Sequence, residues 1–338
     1  MHKTANAARV IILCAALIIG AAAQASAANT APQRTKQKGT YRKPPAAKKK
    51  AAFRQAPIPV LSKSPYAGAL LIDTDTGRIL FEHNADARLY PASLTKLMTF
   101  LVAIEAVEKK QITLTDKVTA CAEAEAIGGS QVNLRRGEKF SVEEMLYALM
   151  LQSANDVAFA LAKHVAGSKE AFVERMNRRA RELGMTGTEF HSMHGLPPSP
   201  GQKPDCTTAR DISKLCRELL RHDATLRYTS ATTHPFRNNS FIMRNHNHLL
   251  KKVPGCDGLK TGYYRAAGFS IAATAEQNGS RVLAIVLGSR DRLVRDAEAK
   301  KLLLKGLAEP KKSGVQSVKS SAPAGEWISP KSAAASGF

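Results

Sequence analysis

Two apolar runs near the end of the chain, Gly268 to Ala275 and Arg281 to Gly288, flank Gln277-Asn278-Gly279. Asn and Gly tolerate the left-handed backbone that a tight antiparallel connection demands, so this stretch predicts a β-hairpin. A second hairpin is predicted early, where Ala69-Leu70-Leu71-Ile72-Asp73 and Arg78-Ile79-Leu80-Phe81-Glu82 surround Asp75-Thr76-Gly77. Between these ends the apolar spacing turns helical. A helix starting at Pro91-Ala92-Ser93 carries Leu97, Met98, Leu101, Val102 and Ile104 around most of its circumference, which places it in the domain centre. Helices are also predicted over Val142 to Met150, Asp156 to Val165 and Lys169 to Leu183. Another starts at Thr207 or Thr208, either of which can cap it, and runs through Leu215 and Leu219. The last runs from about Leu293 to Leu304, with Gly306 as its stop. Strands at both ends with helices between them predict an α/β (α+β) fold: one antiparallel sheet from the two chain ends, covered by helices, with a helical region inserted.

The flanks read differently. Lys3 and Arg9 surround a polar start, the run Val10 to Ala23 is almost wholly apolar, and Ala25-Ser26-Ala27 supplies small residues for cleavage. Residues 1–27 therefore read as a secretory signal peptide, with an apolar run too short for a comfortable membrane span. Bulky Ile11, Ile12 and Leu13 before Cys14 argue against a lipoprotein site. Residues 28–55 read as a basic disordered linker, since Asn29 to Gln55 carries nine Lys and Arg, no acid, and Pro44-Pro45. Behind a signal peptide its expected contacts are weak ones with membrane or wall anions, and no nucleic acid is expected as partner. Residues 309–338, rich in Ser, Ala, Pro and Gly, read as a flexible tail, leaving 56–308 as one folded domain. The mature chain is expected in the periplasm or cell envelope, soluble and without a transmembrane helix. An oxidising compartment permits disulfides among Cys121, Cys206, Cys216 and Cys256, in any of three full pairings, or leaves them as buried thiols.

Three short motifs carry chemistry. Ser93-Leu94-Thr95-Lys96 opens the central helix, and residues three apart share a helix face, so Lys96 lies beside Ser93. A serine hydroxyl needs a neighbouring base, and a lysine serves as one only when burial or a nearby cation lowers its pKa. Ser153-Ala154-Asn155 follows 60 residues later, just before a helix; a hydroxyl there can relay a proton and an amide can hold a carbonyl. Read alone, such residues are usually caps. Lys260-Thr261-Gly262 follows the turn-like Pro254-Gly255-Cys256-Asp257-Gly258; Lys and Thr on a strand edge can bind a carboxylate, and Gly262 leaves room for substrate backbone.

The order S-x-x-K, S-x-N, K-T-G is that of class A β-lactamases and penicillin-binding proteins. With Pro91 to Met98, Leu151 to Asp156, His194-Gly195-Leu196-Pro197 and Asp257 to Gly262, the chain resembles the low-molecular-mass penicillin-binding proteins of the D-alanyl-D-alanine carboxypeptidase family, over about Pro65 to Leu304. The resemblance implies a β-lactamase/D,D-peptidase-like sandwich and a serine D,D-carboxypeptidase. Such an enzyme takes terminal D-alanine from peptidoglycan stem peptides through an acyl-enzyme, needs no metal or cofactor, and is covalently inhibited by β-lactams. It implies Ser93 as nucleophile, Lys96 as base, Ser153 as proton relay and Asn155 as substrate holder. Lys260 would support Ser153, with Thr261 and Gly262 along the substrate. Backbone N–H groups of Ser93 and Tyr263 would form the oxyanion hole. Arg295 would hold the terminal carboxylate, with Arg292 as its rival. The extra β-domain and anchor helix of many relatives are not recognisable here.

Other readings are weighed on single residues. A class A β-lactamase needs a deacylating glutamate, and Glu189 lacks the expected E-x-x-L-N context, so it is expected on the surface. His191 with His194, and His246 with His248, are spaced like metal ligands but have no evident third partner, so structural roles are expected. Cys256 lies close enough to Lys260 for a thiol reagent to block the site, or it forms a bridge. A D,D-endopeptidase cutting cross-links would use the same constellation, and a non-catalytic peptidoglycan-binding protein would keep the groove.

Overall fold

The computed structural model describes residues 64–309. The expected signal peptide, Cys14, the basic linker at 28–55 and the tail past Glu309 lie outside the described residues. The described chain enters through the hairpin β1 (Gly68–Asp73) and β2 (Ile79–His83), then a 3-10 turn at Ala92–Leu94 that leads into α1 (Thr95–Glu108). A helical region follows: β3 (Lys117–Thr119), α2 (Ala122–Glu125), β4 (Lys139–Ser141), α3 (Val142–Tyr147), a π-helical turn at Ala148–Gln152, α4 (Asn155–Ala166) and α5 (Lys169–Glu182). Then come α6 (Ala209–Leu219), α7 (Ala224–Thr229), the hairpin β5 (Thr233–Phe236) and β6 (Phe241–Arg244), strands β7 (Cys256–Tyr264), β8 (Gly268–Gln277) and β9 (Ser280–Ser289), and α8 (Arg292–Leu307).

The main sheet is antiparallel with order β2-β1-β9-β8-β7, so strands from the two ends of the domain meet at its centre. Asn278 and Gly279 both take positive φ between Gln277 and Ser280, the two-residue turn predicted from sequence. Alternation along the central strands sorts their side chains between two faces. Leu70, Ile72, Leu283, Ile285 and Leu287 join a core with Leu97 and Leu101 of α1 and Ile212 and Leu215 of α6. Ala69, Leu71, Val282, Ala284 and Val286 face Ala299, Leu302 and Leu303 of α8. Each fully buried Leu contributes roughly 2 kcal/mol of transfer free energy, which is why both faces need a helical cover. Every residue of α1 from Thr95 to Ile104 is buried, as its all-round apolar pattern predicts.

Helix starts follow local capping chemistry. Thr208 caps α6 by accepting from the Asp211 N–H, Ser141 and Glu144 form a reciprocal capping box on α3, and Asp291 caps α8.

Several expectations change. Gly306 does not stop the last helix but lies within it, where a Cβ would sit 3.0 Å from Val282 Cγ1; its role is close packing of α8 on the sheet. The helix predicted over Val142 to Met150 loosens after Tyr147 into the π turn that carries the chain to Ser153. The β5–β6 hairpin is absent from the sequence reading, because Pro235 argues against a strand and the runs are short. Its signal is Asn238-Asn239, both at positive φ in the turn. The four cysteines of the domain are free thiols, with Cys216 buried, so no bridge forms between Cys256 and Cys121, Cys206 or Cys216.

Candidate active site

Ser93 sits in the 3-10 turn and Lys96 in the first turn of α1, so local geometry alone brings Lys96 Nζ to 3.1 Å from Ser93 Oγ. Lys96 is fully buried, and that burial, assisted by the charge of Lys260, holds its pKa well below the usual lysine value. Its amine also donates to Asn155 Oδ1 at 2.6 Å and to the His194 carbonyl at 2.6 Å. Both of those oxygens can only accept. A neutral amine has two hydrogens and one lone pair. In that neutral form the two acceptors would take the hydrogens and leave the lone pair facing the Ser93 hydroxyl, a partner able to donate.

Each of those acceptors is held from behind. Asn155 Nδ2 donates to the Gly128 carbonyl at 2.8 Å, which fixes the amide with its oxygen toward Lys96. His194 belongs to a loop clamped by Asp205, whose carboxylate accepts from the His191 and Ser192 N–H groups, the Ser192 hydroxyl and Thr95 Oγ1. Gly195 takes φ +77°, and a Cβ there would lie 1.9 Å from the Ala92 carbonyl. The H-G-L loop therefore lies directly on the turn that carries Ser93, closer than any other residue type allows.

Ser153 ends the π turn in the left-handed conformation, φ 58° and ψ 33°, unusual for a residue with a Cβ. It is buried, and its Oγ has no hydrogen-bond partner, an open valence at the cleft. Across from it, β7 is the free edge of the main sheet. A Cβ on Gly262 would lie 2.9 Å from the Pro91 carbonyl and 3.0 Å from the Ser93 N, so β7 runs hard against the Ser93 turn. Lys260 is buried beneath, donates to the Thr261 carbonyl at 3.0 Å, and is held down to about 7 by burial and then by Arg295.

Ser93, Ser153, Thr261, Gly262, Tyr263 and Arg295 line one cleft of about 330 Å³. Lys96 and Lys260 stand behind its wall. Tyr263 is half exposed and stacks on Phe269 at 4.0 Å between ring centroids. Arg295 is buried, donates twice to Asp296 Oδ1 at 3.0 and 2.6 Å, and keeps further N–H groups for the cleft. The rival Arg292 lines the same cleft, but it is exposed and donates to His248 Nδ1 at 2.6 Å. Of the residues singled out as catalytic or substrate-binding, six line this cleft, while Lys96 touches Ser93 and Asn155 touches Lys96.

Four cleft residues escape the sequence reading: Phe269, Ser130, whose carbonyl accepts from the Asn155 N–H, and the pair His246 and His248, weighed only as metal ligands. Burial and then Lys260 hold His246 down to about 4, so its ring is neutral. His194 Nδ1 accepts the Leu196 N–H and burial holds that ring down to about 3, a structural role. Glu189 is exposed, 3.2 Å from His191 Nε2 and away from the cleft lining. Among the described residues the ligand-like grouping is Glu105, Glu218 and His222, and the Arg179 guanidinium already bonds both glutamates.

The model of a family described as D-alanyl-D-alanine carboxypeptidase matches residues 59–291. The chain is 37% identical over 238 residues to D-alanyl-D-alanine carboxypeptidase DacF of Bacillus subtilis, covering 70% of this chain and 60% of that one. It is 40% identical over 244 residues to DacC of Escherichia coli, with the same coverage, so it spans about 60% of these relatives' length. Among solved structures, the ampicillin-bound form of penicillin-binding protein D2 from Listeria monocytogenes superposes with a TM-score of 0.66 at 30% identity, covering 72% of this chain and 98% of that one.

Proposed function

The chain belongs to the D-alanyl-D-alanine carboxypeptidase family, and on that premise we propose that it removes terminal D-alanine from peptidoglycan stem peptides through a Ser93 acyl-enzyme. The observation that carries this reading is the buried Lys96 amine, 3.1 Å from Ser93 Oγ and bonded to two acceptor-only oxygens, Asn155 Oδ1 and the His194 carbonyl. In this reading Lys96 takes the hydroxyl proton as Ser93 Oγ attacks the penultimate D-alanyl carbonyl. The negative charge that develops on the carbonyl oxygen is met by the N–H groups of Ser93 and Tyr263. Ser153 hands a proton to the departing amine, and its unpartnered hydroxyl supports that role. Lys260 behind the wall, in its charged form, favours that transfer, and Thr261, Gly262 and Asn155 align the substrate chain. Arg295 receives the terminal carboxylate with the N–H groups left over after its bonds to Asp296. Water then hydrolyses the ester. A penicillin mimics the same acyl donor, and the ampicillin-bound Listeria neighbour supports such capture.

Mass spectrometry of the protein after incubation with a penicillin, beside Ser93→Ala, tests the proposal. One penicilloyl adduct on Ser93 that persists for many minutes, with terminal D-alanine released from muropeptides, is the expected result. No adduct, with muropeptides bound but uncut, makes this a wall-binding protein instead; rapid penicillin turnover makes it a β-lactamase.

A further inference from the structure

Between β6 and β7 the chain passes through Asn245-His246-Asn247, and a concavity of about 330 Å³ opens beside that passage. It adjoins the active cleft, with His248 in the wall of both, but holds none of the groups assigned to the reaction. Its charged residues are Arg244, Lys251 and Lys252, all exposed, and its wall has no acid. Among the described residues these three side chains make no ion pair and no hydrogen bond, and the hydroxyls of Thr232 and Thr233 are also without a partner. Burial and then Arg292 hold the His248 ring below the usual histidine range. Arg292 donates to its Nδ1 at 2.6 Å, so the ring hydrogen sits on Nε2 and adds one more donor. Behind it, Asp296 keeps Oδ1 on Arg295, with Oδ2 3.8 Å from His248 Nδ1. Solvated lysines are common, but cations converging on one hollow repel each other unless an anion answers them.

The hollow is preformed. Thr233 and Arg244 are cross-strand partners in the β5–β6 hairpin. Asn245 Nδ2 donates to the Thr229 and Ala231 carbonyls at 3.0 Å, and its Oδ1 accepts the Asn247 N–H at 2.9 Å. Asn247 Nδ2 donates to the Gly258 carbonyl of β7 at 2.8 Å, while its Oδ1 caps the 3-10 turn His248–Lys251 by accepting the Leu249 N–H at 3.1 Å. Leu249 is buried in the core shared with α8, so the turn that carries Lys251 and Lys252 is anchored. Both asparagine oxygens are thus engaged inside the fold, and the side chains left open are donors.

Those donors arrive from a hairpin on one side and a turn on the other. A carboxylate presents two oxygens in one plane, whereas phosphate oxygens point outward from a tetrahedral centre and can meet both sides. We propose that this hollow is an exosite for a phosphodiester polymer, which it holds beside the cleft. Lipid headgroups carry the same phosphate, but a lipid surface is entered by exposed apolar side chains, and the wall of the hollow has none: its Leu250 is half-buried. A repeating chain also suits a shallow, solvated site, because each phosphate that leaves is followed by a neighbour at high local concentration. The cleft stays open to peptide while the polymer is held, since the two concavities share only His248. This binding does not depend on what Ser93 does.

The test measures Kd of the full chain for soluble poly(glycerol phosphate), beside an R244Q/K251Q/K252Q variant. The cations of residues 28–55 are the same in both proteins, so a difference between them belongs to the hollow. Kd is expected to rise about tenfold or more in the variant, and added salt should weaken wild-type binding more than the variant's. Hydrogen exchange over residues 241–252 should slow on adding polymer to the wild type alone. Thermal melts of the two proteins should coincide, because all three side chains are exposed, which separates lost binding from lost fold. Equal Kd values overturn the inference. So does a polyglutamate of matched length whose Kd shifts as much, because the hollow would then answer any anion. Lost binding to phosphatidylglycerol vesicles with polymer binding undiminished also overturns it, and assigns the face to a membrane.

Discussion

Replacing Lys260 by Met should stabilise the protein in acid and neutral solution, and by an amount that shrinks as pH rises. Lys260 is 2% exposed, and burial with Arg295 nearby takes its pKa from 10.5 down to about 7. Below pH 7 the side chain is charged in both folded and unfolded chains, and the folded state bears the whole penalty of a buried ammonium. Between 7 and 10.5 the unfolded chain binds the proton and the folded one does not, so wild-type stability rises with pH by about 1.4 kcal/mol per unit. Between pH 6 and pH 10 the sum is about 4 kcal/mol. Met fills a similar volume without charge and loses the bond to the Thr261 carbonyl, worth about 1 kcal/mol at any pH. Denaturant melts of both proteins at pH 6, 8 and 10 measure the difference directly. The variant should be more stable at pH 6, and the gap should close by about 4 kcal/mol by pH 10 while muropeptide turnover is lost throughout. A stability difference that does not change with pH would refute the argument, because Lys260 would then carry the same proton in both states.

Two further substitutions test the local geometry. Gly195→Ala forces a Cβ against the Ala92 carbonyl, so the His194 carbonyl should withdraw from Lys96. Acylation by penicillin, followed by stopped flow, should slow on the order of 100-fold, and an unchanged rate would mean that the loop does not hold the base. Ser153→Gly and Ser153→Ala both remove the hydroxyl, but only glycine relieves the left-handed backbone. Thermal melts should show the glycine variant more stable by about 1 kcal/mol, and equal melting temperatures would mean that the turn relaxes without cost.

The groups proposed to react are legible in sequence because helix periodicity and strand order fix them: Ser93 and Lys96 share one turn of helix, and Lys260 to Gly262 fall on a strand. The groups that hold them are less so. Lys96 and the His194 carbonyl are 98 positions apart, and Thr95 and Asp205 are 110 apart. Nothing about a single Asp after Lys203-Pro204 tells which loop it will clamp, since two of its four partners are main-chain N–H groups that almost every residue carries. The left-handed Ser153 is equally silent, because serine seldom adopts that backbone and tertiary packing alone imposes it. Gly306 misleads for the opposite reason. Glycine after a helical run usually ends it, yet here the missing Cβ lets two layers approach.

The pairing of β1 with β9 has a consequence for how the protein comes into being. Gly68 meets Leu287 across the centre of the sheet, so more than two hundred residues must be made before that ladder can close. Ordering so long a loop is costly and slow, and contacts of this range come late in folding. The edge strand that completes the cleft belongs to the same late-arriving segment. A growing chain therefore carries Ser93 and Lys96 long before it has a wall to bury them against, and the lysine stays an ordinary charged side chain until then. Reactivity arrives with the last strands, all at once, as a property of the finished sheet. A chain truncated before β8 should hold every catalytic side chain and remain inert.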